Sequence, residues 1–512
     1  MINDVVIAGA GPNGLMLACE LGLAGLRPIV LERLPQPSTE PRANGLVGQV
    51  VRALDRRGLY ERLSESKEPP APVPGYVFGA LPLDLSPLED NPIHLLPVPQ
   101  VRIAQVLAER AVELGAEIRY GHGLVDIEQD DEAVTATVAG PDGSYRLRAR
   151  YLVGADGGRS VTRKLSGIEF PGVSRDDSVS RTVTAYPPAA WVDPATGTLD
   201  VPGYGVIPPF LHHRTERGLF VFAPFPGREP LVTTLEWEKP EAETDPMTLE
   251  EMRESIQRVL GVDMPLEPPK GDGPPMLRRL TGGNTRVAER FRDRRVLLVG
   301  DAAHVHSAIG GPGLNLGLQD TVNLGWKLAA ELRGQAPTGL LDTYETERRP
   351  AAERVVMHTQ AQSTLIAPGS AVTALRELFG ELLRDPANVK RIAEMMAGAD
   401  LRYDMGVRDA HPLVGRWAPD LTLRTATRTV RLAELARSGR PMLLDLTEDA
   451  SLGQAVSADR IDLVTARADG PEPPATALLL RPDCYVAWAS AAARPDAAEL
   501  DGLRAAVRRW FG

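Results

Sequence analysis

A glycine-rich turn near the amino terminus constrains the fold more than any other feature of the sequence. Residues 4–8 (DVVIA) form a short apolar run, residues 12–25 have a helical pattern, and residues 28–32 form a second apolar run. The glycines after the first run have the spacing GxGxxG: Gly9, Gly11 and Gly14. Such a βαβ unit presents bare backbone NH groups and the positive end of a helix to a pyrophosphate. The sequence therefore predicts a Rossmann-like α/β domain that binds a dinucleotide.

The residues around this turn fit the same interpretation. Glu32 ends the second run about 20 residues after the turn, where a carboxylate can accept hydrogen bonds from a ribose diol. Pro12 and Asn13 belong to the turn, and Arg33 follows Glu32, so we include all three among the candidate cofactor contacts. A tight turn followed by a surface glutamate is the alternative. The motif alone does not distinguish FAD from NAD.

Composition and charge exclude several other classes of protein. The 512 residues are 43% apolar and 24% charged, as in an ordinary globular protein. The 57 basic and 68 acidic side chains give a net charge of −11, which disfavours nucleic acid and anionic membranes as partners. Cys19 and Cys484 have neither a disulfide nor a zinc-ligand spacing. The start of the chain has no basic leader, and no stretch approaches the roughly 18 apolar residues of a membrane span, so we expect a cytoplasmic protein.

Changes of pattern divide the chain into four segments. Residues 1–170 contain the βαβ unit and form the first part of the dinucleotide-binding domain. Residues 171–280 are Pro-rich with alternating strand patterns, which predicts an inserted α+β domain built mainly on an antiparallel sheet. Residues 281–399 return to the first domain and add long interdomain helices. Residues 400–512 alternate strand and helix, which predicts a small α/β module.

Two further segments indicate which dinucleotide is bound. Residues 151–163 read YLVGADGGRSVTR, and residues 299–319 read VGDAAHVHSAIGGPGLNLGLQ. With the GxGxxG turn, these segments resemble the motifs of the FAD-dependent class A aromatic hydroxylases, the family of para-hydroxybenzoate and phenol hydroxylases. Within the family, the chain most resembles bacterial oxygenases of aromatic polyketides, such as the angucycline and anhydrotetracycline hydroxylases.

The resemblance implies where several residues meet the cofactor. It implies that Asp301 binds the FAD ribityl hydroxyls and that Asp156 serves both FAD and nicotinamide binding. It also implies that the amides around Gly313, Leu314 and Asn315 face the flavin pyrimidine edge. We predict a helix that starts near Leu314, whose amino end would stabilise the negative charge of a reduced flavin. A simple turn aspartate is the alternative for Asp156.

Other positions carry weaker expectations. Arg42 resembles an arginine that contacts a mobile flavin in this family, and a solvated surface arginine is the alternative. Gln100 resembles an FAD-contacting glutamine, with Arg102 beside it as a lesser candidate. Ala308 and Pro312 stand where the family usually has Pro and Gln. Because these two positions flank the expected oxygenation site, we count them with Arg42 as part of the flavin-facing environment.

The C-terminal segment and the histidines complete the expectations. HPLVGRWAPDL, GRPMLLDL and LLLRPDCYVAW resemble the thioredoxin-like C-terminal domain of the polyketide oxygenases, and the absence of CxxC implies a structural role. His304 and His306 lie two residues apart, but no carboxylate or cysteine completes a ligand set, so we predict no metal. His212 and His213 either reach a phenolic substrate or lie on a loop or edge strand.

The resemblance implies a monooxygenase that uses NADPH, or NADH, together with FAD and dioxygen. The reduced flavin would form a C4a-hydroperoxide and hydroxylate a phenolic or quinonoid polycyclic polyketide in antibiotic biosynthesis. The alternatives are Baeyer–Villiger insertion into a ring ketone, a flavin dehydrogenase or reductase that incorporates no oxygen, and a non-catalytic flavin-binding protein. No GxSxG motif or Cys/His pair favours a hydrolase. The expected partners are a small aromatic molecule and dioxygen, and both a monomer and a homodimer remain open.

Overall fold

The first part of the chain builds a parallel sheet with helices on its faces. The structure, a computed structural model, describes residues 2–512 except 41, 226, 238–244, 272–274, 308, 408–409, 449, 451, 454–455, 457–459 and 470–472, and of residues 174–177 it describes the backbone alone. The elements up to residue 165 are β1 Asn3–Ala8, α1 Pro12–Leu23, β2 Ile29–Glu32, β3 Leu46–Val47, α2 Gln49–Asp55, α3 Tyr60–Ser64, β4 Gly75–Phe78, β5 Leu81–Asp84, β6 Leu95–Leu96, α4 Gln100–Glu113, β7 Glu117–Tyr120, β8 Gly123–Gln129, β9 Val134–Gly140, β10 Gly143–Gly154 and α5 Val161–Leu165.

The second segment forms a separate antiparallel sheet. Its elements are β11 Gly172–Thr184, β12 Leu199–Val201, β13 Gly205–Ile207, β14 His213–Arg214, β15 Leu219–Ala223, β16 Leu231–Glu236, α6 Leu249–Leu260 and β17 Leu277–Val287. The main sheet has the order β14, β15, β16, β11, β17, and α6 packs on it. Alternate residues of β16 are buried, as expected for a sheet with one covered face.

The third segment returns to the first sheet and then becomes helical. Its elements are β18 Arg292–Asp293, β19 Val296–Leu298, β20 His304–Val305, α7 Pro312–Leu332, α8 Thr343–Ile366, α9 Ser370–Leu382 and α10 Pro386–Ala397. Strand β20 pairs with β17 and so extends the antiparallel sheet. Residue 280, the sequence-based limit of the second segment, lies inside β17.

The parallel sheet has the strand order of a dinucleotide-binding domain. Strands β7, β2, β1, β10 and β19 are neighbours in that order and run parallel, while β8 and β9 extend β10 as antiparallel strands. The order reverses its direction between β1 and β10, and ligands bind at such a switch point beyond the carboxyl ends of the strands. The apolar run of β1 is buried because the sheet is covered on both faces. The predicted βαβ unit and α/β class are confirmed.

Helix α7 begins earlier than the sequence suggested. We expected its start near Leu314, but the first helical residue is Pro312. Gly311 precedes it in the left-handed region, with φ of 67°. Proline suits the first position of a helix because its fixed φ is helical and its missing NH would be unpaired there. Pro350 lies inside α8 without ending it.

The C-terminal segment forms a mixed sheet with a helix at its end. Its elements are β21 Thr422–Arg424, β22 Thr429–Arg431, α11 Leu432–Leu435, β23 Met442–Asp445, β24 Asp462–Thr465, β25 Arg467–Ala468, β26 Ala477–Leu480, β27 Val486–Ser490 and α12 Ala497–Phe511. The larger sheet has the order β24, β23, β26, β27, in which β24 is parallel to β23 and the other pairs are antiparallel. Within the described part of the chain, no helix has the length and apolar character needed to cross a membrane.

Candidate active site

Four loops meet at the carboxyl edge of the parallel sheet. They follow the neighbouring strands β19, β10, β1 and β2. In the same order they carry Asp301, Asp156, the GxGxxG turn and Glu32. The structure therefore brings together motifs that are almost 300 residues apart in the sequence, at the edge where open α/β sheets bind ligands.

Two glycines of the turn are packed so closely that no side chain fits, whereas the third borders open space that a ligand can occupy. A Cβ atom on Gly9, whose φ is 108°, would lie 2.5 Å from the carbonyl oxygen of Ala155, and one on Gly14 would lie 2.0 Å from the oxygen of Gly9. A Cβ on Gly11 would meet no atom within 4 Å among the described residues. Gly11 caps α1 without a side chain, so the amides of the first turn can face an anion.

Glu32 holds the glycine turn in addition to any contact with a cofactor. Its Oε2 accepts a hydrogen bond from the Ala10 NH at 3.0 Å, and its Oε1 accepts one from the Leu34 NH at 2.9 Å. Each carboxylate oxygen can accept a second bond, so Glu32 can still receive a ribose hydroxyl. Arg33 beside it is exposed. The sequence did not reveal the structural role because both donors are backbone groups.

Asp156 is also bound to its own loop. Its oxygens accept hydrogen bonds from the Ser160 hydroxyl and from both the NH and the hydroxyl of Thr162, the latter two at 2.9 and 3.0 Å. Arg163, which sequence reasoning missed, donates to the Ala302 carbonyl at 2.9 Å and to the Gly158 carbonyl at 3.1 Å. These bonds tie the Asp156 loop to the Asp301 loop.

Asp301 faces the cleft. It lies in a 3₁₀ turn, Gly300–Ala302, and is exposed at the edge of the sheet. Desolvation by the surrounding protein raises the pKa of Asp301, and the charges of His304 and Arg42 oppose that rise. Arg42 therefore lies within electrostatic range of the cleft, although its guanidinium donates to Glu40 Oε2 at 2.7 Å and 59% of its side chain is exposed.

Asn13 fits between two glycines of the later motif. A Cβ on Gly300 would lie 1.9 Å from Asn13 Nδ2, and one on Gly317 would lie 2.4 Å from the same atom. Pro12 is the buried first residue of α1. The side chain of Asn13 thus fixes the distance between the GxGxxG helix and α7.

The amino end of α7 points at the same cleft. Gly313 and Leu314 belong to its first turn, and no side chain of the described residues caps it. Asn315 Oδ1 accepts the Val47 NH at 3.1 Å, and Asn315 Nδ2 donates to the Gly311 carbonyl at 2.8 Å. Asn315 therefore fixes the loop that precedes the helix. Ala308 lies outside the described residues.

Gln100 lies at the start of α4, next to the Arg42 loop. Its NH donates to the Ala43 carbonyl at 2.8 Å, and both its side chain and that of Arg102 are half-buried. The structure therefore places the Arg42 and Gln100 segments side by side.

The histidines occupy different environments. His304 Nε2 bonds Asp320 at 2.7 Å, whereas burial lowers the pKa of His306 to about 4, which keeps it neutral. His213 lies on the edge strand β14 and bonds the Tyr204 hydroxyl at 2.6 Å. His212 beside it is half-buried, and burial lowers its pKa.

Comparison with known proteins identifies the family. Residues 3–359 match the family described as FAD binding domain, and residues 411–512 match the aromatic-ring hydroxylase C-terminal family. The chain belongs to the FAD-dependent aromatic-ring hydroxylases. This confirms the resemblance noted in the sequence and establishes the cleft as part of an FAD-binding domain.

Relatives of this hydroxylase match it over its full length. It is 42% identical to the 12-dehydrotetracycline 5-monooxygenase/anhydrotetracycline 6-monooxygenase of Streptomyces rimosus, over 100% of this chain and 99% of that one. The structure of OxyS anhydrotetracycline hydroxylase from Streptomyces rimosus aligns with a TM-score of 0.85 and 41% identity over 100% and 99% of the two chains. CabE, an aromatic hydroxylase from angucycline biosynthesis, aligns with a TM-score of 0.85 and 35% identity over the same shares. The protein is a flavoprotein monooxygenase.

The two positions Gly11 and Gly14 separate cofactor binding from folding. We predict that Gly11→Ala leaves the melting temperature of the apoprotein unchanged, because its Cβ enters open space, but weakens FAD binding about tenfold or more by blocking the approach of the pyrophosphate. Gly14→Ala is the matched variant and should lower both the melting temperature and the FAD affinity, because its Cβ collides with backbone. Calorimetry of the apoproteins and FAD titration measure the two effects. Normal FAD affinity in Gly11→Ala would contradict the assignment.

Substitutions at Asp301 and Glu32 should also separate FAD affinity from apoprotein stability. We predict that Asp301→Ala weakens FAD binding roughly tenfold to a hundredfold with little change in apoprotein stability, since its carboxylate faces the cleft. Glu32→Ala should also lower the free energy of unfolding of the apoprotein, by about 1 to 3 kcal/mol, because two backbone NH groups lose their acceptor. Denaturant unfolding and fluorescence titration test both. A destabilised Asp301→Ala apoprotein would show that this carboxylate holds the protein instead.

Proposed function

We propose that this protein hydroxylates a polycyclic aromatic polyketide, phenolic or quinonoid, in the biosynthesis of an antibiotic. The observation that carries the proposal is 42% identity over the whole chain to a monooxygenase named for 12-dehydrotetracycline and anhydrotetracycline. NADPH is the proposed reductant, with NADH as the alternative, on the basis of the family resemblance. The partners are the aromatic substrate and dioxygen. Both cysteines are buried free thiols, which supports a reducing, cytoplasmic location.

The residues of the cleft fit FAD. The bare turn around Gly11 at the amino end of α1 suits a pyrophosphate, because uncapped amides and a helix dipole attract an anion. We assign the ribose to Glu32 and the ribityl chain to Asp301. Pro12, Asn13 and Arg33 complete the proposed contacts of this half of the cofactor.

The remaining contacts are assigned to the flavin end. The amides of Gly313, Leu314 and Asn315 lie at the uncapped end of α7, where negative charge on a bound ring is stabilised. Arg42 and Gln100 are assigned to the same end of the cofactor, because a backbone hydrogen bond from Gln100 to Ala43 joins their segments. Asp156 supports FAD by holding its loop. By resemblance to the family, it also contributes to binding of the nicotinamide cofactor.

The protein's part in the reaction is to bind, orient and exclude water. FAD, when bound, supplies transfer of electrons from the reduced nicotinamide and activation of dioxygen. We assign the positioning of the substrate to the antiparallel sheet and to the first turn of α7. Burial lowers the pKa of His306, so this residue stays neutral near the first turn of α7 and can accept a hydrogen bond there.

The proposed function is distributed over three domains. We propose an FAD-binding domain of residues 1–170 and 281–399, a substrate domain of residues 171–280 and a thioredoxin-like domain of residues 400–512. The C-terminal sheet, in which a parallel pair is followed by an antiparallel pair and a final helix, supports the last assignment. Without a CxxC pair the domain has no disulfide chemistry to perform.

Three activities can be separated by one experiment. We expect polyketide phenols to stimulate NADPH oxidation, and mass spectrometry to find one atom of labelled dioxygen in a hydroxylated product. A lactone or ester containing the label would indicate Baeyer–Villiger insertion instead. An oxidised product without label would indicate a dehydrogenase and would overturn the proposal. Substrate-free enzyme and unlabelled dioxygen are the controls.

The departure at Pro312 is expected to affect coupling and not cofactor binding. Pro312 fits the first turn of α7, so Pro312→Gln should leave FAD affinity nearly unchanged. It should change the product formed per NADPH consumed, because an added amide side chain at the loop alters how the substrate is positioned. Product and peroxide yields measure the coupling, and Ala308→Pro is the companion variant. Unchanged coupling in both variants would show that the two departures are neutral.

A further inference from the structure

A buried polar chain starts at the turn that carries Asp301. Asp320, on α7, is completely buried. Its Oδ2 accepts hydrogen bonds from the Gly300 NH at 3.2 Å and from His304 Nε2 at 2.7 Å. Gly300 has φ of 59°, in the left-handed region, and begins the same 3₁₀ turn as Asp301. The carboxylate of Asp320 thus holds the first residue of the turn and the histidine two residues after its end.

The chain continues from α7 through α8 to the C-terminal segment. Arg348 Nε donates to Asp320 Oδ1 at 2.7 Å, Nη2 donates to the Leu316 carbonyl at 3.3 Å, and Nη1 donates to the Tyr403 hydroxyl at 2.9 Å. Tyr403 stacks on Tyr485 with ring centroids 4.1 Å apart and belongs to the C-terminal hydrophobic core. One residue of the C-terminal core therefore contacts the guanidinium that fixes Asp320.

Electrostatics make this chain sensitive to geometry. Burial by itself would raise the pKa of Asp320, but the Arg348 and His304 charges outweigh it and keep the pKa below its ordinary value. The buried ion pair therefore stays charged. Loss of one hydrogen-bond partner from a buried charged group is costly, so we expect the remaining partners to shift when one is removed.

A second buried cluster keeps α8 from rotating. Glu347, next to Arg348, accepts bonds from Arg481 Nη1 at 2.6 Å and from Lys327 Nζ at 2.7 Å. Arg481 also pairs with Asp483. With α8 held by this cluster, the Arg348 guanidinium is oriented by its three acceptors, and the Tyr403 hydroxyl is the acceptor that the C-terminal core supplies.

We propose that Tyr403 is a positioning residue for FAD, acting through Arg348 and Asp320 on the turn of Gly300 and Asp301. The C-terminal domain, which has no redox cysteines, contributes to the cofactor site through this contact. The inference rests on the proposed role of Asp301 toward FAD. Its first readout, the mobility of the turn in the apoprotein, is independent of that role and of the substrate.

The test compares Tyr403→Phe with Arg431→Gln. Arg431 pairs with Asp55 at 2.6 and 3.1 Å, so the control removes another contact between the C-terminal segment and the FAD-binding domain, away from Asp320. Hydrogen exchange of a peptide covering residues 296–306 is measured in both apoproteins, followed by FAD titration and melting. We expect Tyr403→Phe to speed exchange in this peptide and to weaken FAD binding roughly fivefold to tenfold. Arg431→Gln should change neither and lower only the melting temperature.

The outcomes separate positioning from general stability. Unchanged exchange and FAD affinity in Tyr403→Phe would overturn the proposal, and so would equal changes in both variants. Arg348→Lys keeps the charge but loses the planar fork, so it should reproduce the faster exchange and the weaker FAD binding, and failure to do so would also count against it. Faster exchange with normal FAD affinity would overturn Tyr403 as a positioning residue for FAD, and normal affinity in Asp301→Ala as well would show that the proposed role of Asp301 is what failed.

Discussion

The cofactor site depends on how closely α1 packs against α7. Asn13 fills the space left by Gly300 and Gly317, and a Cβ on Gly325 would lie 2.4 Å from Glu20 Cβ. The absence of side chains at positions 317 and 325, two turns apart on α7, allows this close approach. The contact sets the distance between the pyrophosphate end and the flavin end of the proposed FAD site, although the two helices are almost 300 residues apart in the sequence.

The carboxylates at the cleft and directly behind it divide into two groups. Glu32, Asp156 and Asp320 accept hydrogen bonds from the protein, whereas Asp301 faces the cleft. The first three hold the loops in place before any ligand binds, so less ordering is required when FAD enters. This division explains why an alanine at Asp301 and an alanine at Glu32 should affect stability so differently.

The sequence was most informative where a motif demands a particular backbone. GxGxxG predicted the β1, α1 and β2 unit because only glycines allow the close approaches at Gly9 and Gly14. The hydrogen-bond partners of side chains could not be predicted from the sequence. Glu32, for example, binds backbone amides whose directions depend on how the loops fold. The pairing of Asp320 with Arg348 could not be predicted, because a buried ion pair between two helices has no local sequence pattern. The start of α7 was predicted near Leu314 and lies two residues earlier, at Pro312, because proline also fits the first position of a helix.

The buried charges around α8 indicate why the C-terminal domain is joined to the rest by polar contacts. Apolar side chains of the same size would make an interface at least as stable, but they would tolerate small rotations of the helix. Hydrogen bonds within ion pairs depend on direction. Glu347 accepts them from Arg481, whereas the neighbouring Arg348 donates one to Asp320, so the two residues bind different partners. Helix α8 therefore has one orientation, and the Arg348 guanidinium meets Asp320 and Tyr403 at once. A monooxygenase in which the flavin must be placed to within a fraction of an ångström gains more from that single orientation than from added stability.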